Sequence, residues 1–401
     1  MSVPRGARRL RRLFDRIPPR LITVAELLVS LTITVLVAAW LDRAYTKYVS
    51  GPRVSAPSTD NCWGPDPRMH HTLRPNCSGL IHWGKESYAV HTNNLGLRDA
   101  QVSDVPMAEE RTRVLLLGDS MVEGVQAWPD IIAGIIQAQL PQYRFLDGGR
   151  TSYSPSNYLL LTRSLLERGV KFDEVMVFID ISDIQDEAAY YRDNEQTGGL
   201  EGPSVYADQS TWYARQRVAI SARYYLTDVW FTDLEYLAIR SGFYFKPFLQ
   251  MGNVFDLPRG AWTYRSISDA LPYSSGYGPL GLGAGLEKAK AKMTALREEL
   301  ARRGIPLSVV VYPWPQQLAH DSVDSRQVML WREWCVNACK RFISLFPAFF
   351  AIKDACPWYA PGCWYDYYVF GDVHFNPRGN KVIADAVVRA LSEDPPKKLA
   401  P

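Results

Sequence analysis

From residue 114 onward, short and largely apolar runs alternate with amphipathic stretches, and this rhythm constrains the fold more than any other feature. Residues 114–117 are wholly apolar, and 143–146, 175–179 and 306–312 (PLSVVVY) are further strand candidates. A strand that is apolar along its length has no solvent face, so it belongs in a sheet covered on both sides. Helix-like segments separate these runs. Ile131, Ile132, Ile135 and Ile136 share one face of 129–140, and 157–168 forms a second helix closed by Gly169. Leu286, Ala289, Met293, Leu296 and Leu300 line one face of 286–303, which Gly304 ends. A further helix is predicted over 325–343, a fifth strand within 346–352 beginning after Pro347, and a last helix running to residue 391. Strands alternating with helices imply an α/β fold with a parallel sheet. The rhythm stops over 188–285, an aromatic and Gly-rich stretch that reads as an insertion or lid. Its Gly276, Gly278 and Gly281 have the spacing of a dinucleotide loop. No strand precedes them and Pro279 interrupts them, so no cofactor is expected there.

A second feature sets the surroundings of the chain. Residues 21–41 read LITVAELLVSLTITVLVAAWL, with Glu26 the only charge. As a helix this run spans about 31 Å at ~1.5 Å per residue, close to the thickness of a bilayer's hydrocarbon core. Seven Arg precede its end within residues 1–20 and Asp42 follows it, which predicts a cytoplasmic basic segment, a transmembrane helix, and everything beyond it outside. A buried core helix and a cleaved signal peptide, with Val37-Ala38-Ala39 as its processing site, are the alternatives. The basic region is long and the apolar run exceeds the usual ~7–15 residues of a signal peptide, so a retained anchor is expected. Residues 42–60 then read as a tether, 61–113 as a loop-rich segment, 114–391 as the α/β domain and 392–401 as a tail. The N-terminal arginines account for the formal net charge of +3 and leave the rest mildly acidic, which argues against a nucleic-acid binder.

The cysteines fit an oxidising compartment. They fall in three close pairs, Cys62 with Cys77, Cys335 with Cys339 and Cys356 with Cys363, none at zinc-knuckle or redox-motif spacing. Bridges 62–77 and 356–363 suit Pro/Gly-rich loops. Cys335 and Cys339 lie one turn apart on a predicted helix, where a bridge is awkward, and connectivity stays open at this level. His70-His71 reads as exposed loop, because nothing supplies a third metal ligand, and no metal is expected.

In a doubly wound sheet, chemistry sits beyond the carboxyl ends of the strands. The first strand exits into Gly118-Asp119-Ser120. A serine at such a turn is exposed and meets the partial positive charge of a helix N-terminus, although an ordinary serine cap has the same appearance. The second exits into Asp147-Gly148-Gly149, where glycines let the backbone approach a ligand. The third exits into Asp180-Ile181-Ser182-Asp183. Near the C-terminus Gly371-Asp372-Val373-His374 precedes a helix, and only His374 among six histidines combines a neighbouring Asp with a predicted loop.

Together, VLLLGDSMVEG (114–124), LDGGRTSYSPSNY (146–158), FIDISDIQDE (178–187) and GDVHFNPRGNKVIADAV (371–387) resemble the SGNH, or GDSL-type, hydrolase superfamily. NNLGLRD (93–99) and VVYPWPQQL (310–318) are similar to its membrane-associated bacterial members. The resemblance covers about 114–187 and 286–391. It implies a three-layer α/β/α flavodoxin-like domain with acyl-ester chemistry, in which Ser120 is the nucleophile, His374 its general base and Asp372 the group orienting the imidazole. A hydroxyl is a weak nucleophile and needs such a base, and the base needs an orienting partner. The oxyanion donors implied are the N–H groups of Ser120 and Gly149 and the side chain of Ser182. Two departures stand out. The third block usually reads Gly-x-Asn-Asp where this chain has Asp180-Ile181-Ser182-Asp183, and Asp-x-His replaces the commoner Asp-x-x-His, a spacing that also occurs in related polysaccharide O-acetyltransferases.

The expectation is therefore a single-pass protein of the bacterial inner membrane with its catalytic domain in the periplasm. It would remove or transfer O-acyl groups, acetyl first among them, on a glycan. A multi-pass acyltransferase is the partner expected for transfer. Trp212, Tyr213, Trp230, Tyr236 and Tyr244 of the insertion would shape the sugar cleft or pack a small subdomain. A catalytically weak scaffold subunit of an envelope polysaccharide assembly is the alternative that the altered third block suggests.

Overall fold

A computed structural model describes residues 18–45, 62–83, 86–202, 261–263, 277–369 and 372–398. The insertion aromatics from Trp212 to Tyr244 lie outside these residues. The chain divides into two units, 1–53 and 54–401. In the first, helix α1 (Pro19–Tyr45) is long and apolar enough to cross a membrane by length and composition, and none of its apolar window is buried.

The second unit is built on an eight-stranded sheet. Its first five strands in space are β12 (Arg341–Ser344), β11 (Leu307–Val311), β8 (Glu174–Ile179), β6 (Thr112–Leu117) and β7 (Tyr143–Asp147), all parallel. Taken in chain order, these five stand 2-1-3-4-5 across the sheet, the flavodoxin-like arrangement. The chain steps from β6 to β7 on one side and then to β8 on the other. Since crossovers between parallel strands are as a rule right-handed, this reversal sends the helices that follow β6 and β7 to opposite faces. Helix 132–139 accordingly packs with 377–393, and helix 155–167 with 282–301. Val114, Leu115, Leu116 and Leu117 are fully buried, as are Val175 to Ile179, which is why these strands are apolar throughout.

Residues 61–113 are not the loop-rich segment expected. Strands β3 (Ser78–Trp83), β4 (Glu86–Thr92) and β5 (Arg98–Asp99) continue the sheet beyond β7 in antiparallel fashion, so the sheet is mixed. On β4, Tyr88, Val90 and Thr92 are buried while Ala89 is exposed. Such a half-buried strand alternates instead of forming an apolar run, and lacks the signal that marked the central strands. Strands β1 (Trp63–Asp66) and β2 (His70–Leu73) form a separate hairpin, so His70 and His71 lie on a strand and His71 is buried. A second hairpin, β9 (Arg192–Asn194) with β10 (Gly199–Glu201), opens the insertion.

The fifth parallel strand is also displaced. Residues 346–354 form a helix, Phe346–Asp354, with Pro347 in its first turn, where proline's fixed φ suits a helix start. The strand is Arg341–Ser344, within the stretch read as the end of a longer helix. That helix runs only from Arg326 to Cys335, started by the Ser325 side chain accepting from the Gln327 amide. All three cysteine pairs are bridged, and the Cys335–Cys339 bridge spans the turn after the helix instead of lying within it.

Candidate active site

The strand order reverses between β6 and β8, so the crevice at the carboxyl end of the sheet opens beside their exits. After β6, the Asp119 carboxylate accepts from the Met121 amide at 2.8 Å and starts a four-residue helix, Ser120–Glu123. Ser120 is the first residue of that helix, where a backbone N–H has no intrahelical acceptor. Gly124 closes the turn at φ +73°, a left-handed conformation that suits glycine.

The second half of the site arrives 254 residues later. Tyr368 and Phe375 pair as an isolated antiparallel bridge, and the Val369 amide donates to the His374 carbonyl at 2.7 Å. Asn376 then caps helix Pro377–Glu393, its side chain accepting from the amides of Arg378 and Gly379. The Phe375 ring stacks on Tyr368 with centroids 4.8 Å apart. This frame points His374 back toward β6. His374 Nδ1 lies 2.8 Å from Asp372 Oδ1, and Nε2 lies 2.8 Å from Ser120 Oγ. A carboxylate only accepts, so Nδ1 carries the proton and Nε2 accepts from the serine hydroxyl. Asp372 is itself held by the Val373 amide, which donates to the same oxygen at 2.6 Å. The His374 side chain is 10% exposed and that of Asp372 23%, so the chain of groups reaches solvent without being bathed in it.

The other two expected oxyanion donors are otherwise engaged. Ser182 donates both its amide and its hydroxyl to Asp180 Oδ1, each at 2.7 Å. Its hydroxyl proton is therefore committed to a buried carboxylate, whereas the expectation has it facing an oxyanion. The Gly149 amide donates to Asp147 Oδ1 at 2.9 Å, so it reaches an oxyanion only by sharing or leaving that bond. Gly149 is nonetheless packed on the nucleophile's turn. A Cβ there would sit 2.3 Å from the Glu123 amide nitrogen, so glycine alone permits the approach.

Two further residues with a part in the site lie after β11 in the VVYPWPQQL stretch, where the sequence singles out no individual side chain. Trp314 Nε1 donates to Asp180 Oδ2 at 2.7 Å, and the Tyr312 hydroxyl lies 3.4 Å from both Asp119 and Asp180. Asp183 accepts from the Asp180 amide and the Tyr158 hydroxyl, each at 2.7 Å. Burial, reinforced by the neighbouring Asp180 carboxylate, holds Asp119 and Asp183 well above the usual carboxylate range. Among the described residues no group of His, Cys, Asp and Glu is placed to hold a metal ion.

No protein-family model matches the chain, and no curated protein matches it. Solved structures similar to it include an α/β hydrolase enzyme from the metagenome of Lake Arreo, Spain, with 14% identity over 71% of this chain and 97% of that one, at a TM-score of 0.36. A catalytic mutant of an acetylxylan esterase from Geobacillus stearothermophilus shows 12% identity over 71% and 95%, at 0.36. A member of the lipolytic G-D-S-L family from Veillonella parvula shows 10% identity over 70% and 98%, at 0.35.

Proposed function

We propose that this chain is a serine acyl-ester enzyme of the SGNH type, with Ser120, His374 and Asp372 as its triad. The observation that carries the reading is the unbroken line from Ser120 Oγ through His374 to Asp372, with both hydrogen bonds at 2.8 Å. Ser120 Oγ attacks the acyl carbonyl as its proton passes to His374 Nε2, and Asp372 stabilises the imidazolium that forms. The Ser120 N–H faces the tetrahedral oxyanion, a donor of a kind worth roughly 2.7–4 kcal/mol. Collapse expels the alcohol, which takes the proton from Nε2, and leaves the acyl group on Ser120. His374 then draws a proton from the second nucleophile as that attacks the acyl-serine, and returns it to Ser120 Oγ as the acyl group leaves.

Water as that nucleophile makes the enzyme an esterase, and a sugar hydroxyl makes it an O-acyltransferase. We read the substrate as O-acyl groups, acetyl first, on a glycan. The setting proposed is the periplasmic face of a bacterial inner membrane, with α1 as anchor. The three disulfides support an oxidising compartment and the length and apolarity of α1 support anchorage. A multi-pass acyltransferase partner would supply the acyl group in the transfer case. The full-length protein in detergent, given p-nitrophenyl acetate, should release p-nitrophenol, and Ser120→Ala should not. Full activity in that variant overturns the assignment. With a glycan acceptor present, mass spectrometry separates the two outcomes: acetylated acceptor means transfer, and free acetate alone means hydrolysis. The scaffold reading requires that a serine-directed phosphonate leave Ser120 unlabelled.

A further inference from the structure

Ser120 and His374 meet from opposite ends of the domain, and neither bond within the triad explains how two separate loops keep a 2.8 Å register. Gln126 spans the gap. It is buried and lies just beyond the Ser120 turn. Its Nε2 donates at 3.0 Å to the carbonyl of Phe375, the residue after His374. Its Oε1 accepts at 2.9 Å from Asn380 Nδ2, in the first turn of the helix that follows, and the same Asn380 amide donates to the Asp130 carbonyl at 2.8 Å. One side chain thus ties the nucleophile's loop to the histidine's loop at two points.

Behind Gln126 stands Arg98, from the antiparallel strand β5, where it pairs with Asp147 of β7. Arg98 is fully buried, and its guanidinium donates to the carbonyls of Glu123, Gly124 and Gln126. In this short helix the Ser120 carbonyl accepts from the Gly124 amide, the carbonyls at its C-terminal end lie beyond the reach of an intrahelical donor, and a buried cation there answers both the hydrogen-bonding need and the dipole. Arg98 therefore fixes the segment from which Gln126 reaches.

We infer that Gln126 is a positioning residue for the Ser120–His374 pair, with Arg98 as its anchor. The inference rests on the function proposed above for the purpose of that register, but the brace itself is testable without turnover. Gln126→Met keeps the side chain's bulk and removes both amide bonds. In the full-length protein its kcat on p-nitrophenyl acetate should fall by about 10²-fold, the cost of a displacement on the order of 1 Å, with KM nearly unchanged. Gln126→Glu supplies a rescue. As a carboxylate it accepts from Asn380 but cannot donate to the Phe375 carbonyl, and once protonated it donates again. The ratio of its kcat to that of the wild type should therefore rise as pH falls through the carboxyl titration, which a role confined to stability does not produce. A folded Gln126→Met with wild-type kcat, or a pH-independent ratio for Gln126→Glu, overturns the inference. If the wild type hydrolyses no ester, the function falls but the brace is still decided by crystallography of Gln126→Met. Ser120 Oγ beyond hydrogen-bond reach of His374 Nε2 supports it, and an unchanged pair refutes it.

Discussion

The turns that leave β6 and β8 both place an aspartate and a serine at the start of a four-residue helix. After β6 the Asp119 carboxylate reaches two residues forward to the Met121 amide, and the serine between them turns outward to His374. After β8 the Asp180 carboxylate also reaches two residues forward, but there the residue is Ser182, which gives up amide and hydroxyl together. The turn after β7 repeats the device, with Asp147 taking the Gly149 amide. Aspartate favours this local bond to the second amide onward. A serine one position after the aspartate stays free for chemistry, and a serine two positions after it becomes part of the turn.

Variants at these turns break or sharpen that contrast. Ser120→Ala should lower kcat by on the order of 10⁶, judged from nucleophile removal in serine hydrolases, while circular dichroism stays native because Ser120 is only partly buried. Asp372→Asn should cost about 10⁴ in kcat, since an amide in place of the carboxylate selects the wrong imidazole tautomer. Ser182→Ala should change kcat by less than about threefold and lower stability by about 1–2 kcal/mol through loss of a hydrogen bond to a buried carboxylate. A loss of about 10²–10³ in kcat there would mean that Ser182 faces the oxyanion after all, and the contrast would fail.

The β7 turn yields an effect on stability alone, with none expected on kcat. Burial pushes Asp147 up to about 7, with Arg98 and Arg150 opposing it. The folded chain then keeps a proton that the unfolded chain releases near the ordinary value of 3.8. Stability from this group is full below that value and is lost as pH rises toward 7. Thermal melts of Asp147→Asn between pH 4 and 8 should lack this decline, so the variant's melting temperature relative to wild type should rise up to about pH 7 and then level. A constant difference would show that Asp147 is ionised throughout.

The central strands and the blocks at their exits were legible because their signals are local. Runs such as 114–117 and 175–179 announce burial on both faces, and Ser120, Asp372 and His374 stand in short motifs of fixed order. Strands β3 to β5 lack such a run, because β3 and β4 are half-buried and β5 is only two residues long. The strand at 346–352 was misplaced because Phe and Ile outweighed a proline that starts a helix.

The amino-acid order by itself determined the layers, the place of the crevice, the apolar span within α1 and the identity of the groups brought to Ser120. Only the tertiary structure decided which serine is free, that the Gly149 amide is already held, and that Arg98 and Gln126 lock two distant loops together. The physical reason is range. Periodicity and capping are properties of neighbouring residues, whereas the direction of a hydroxyl or the reach of an amide depends on register and rotamers that exist only once residues far apart in the chain have packed.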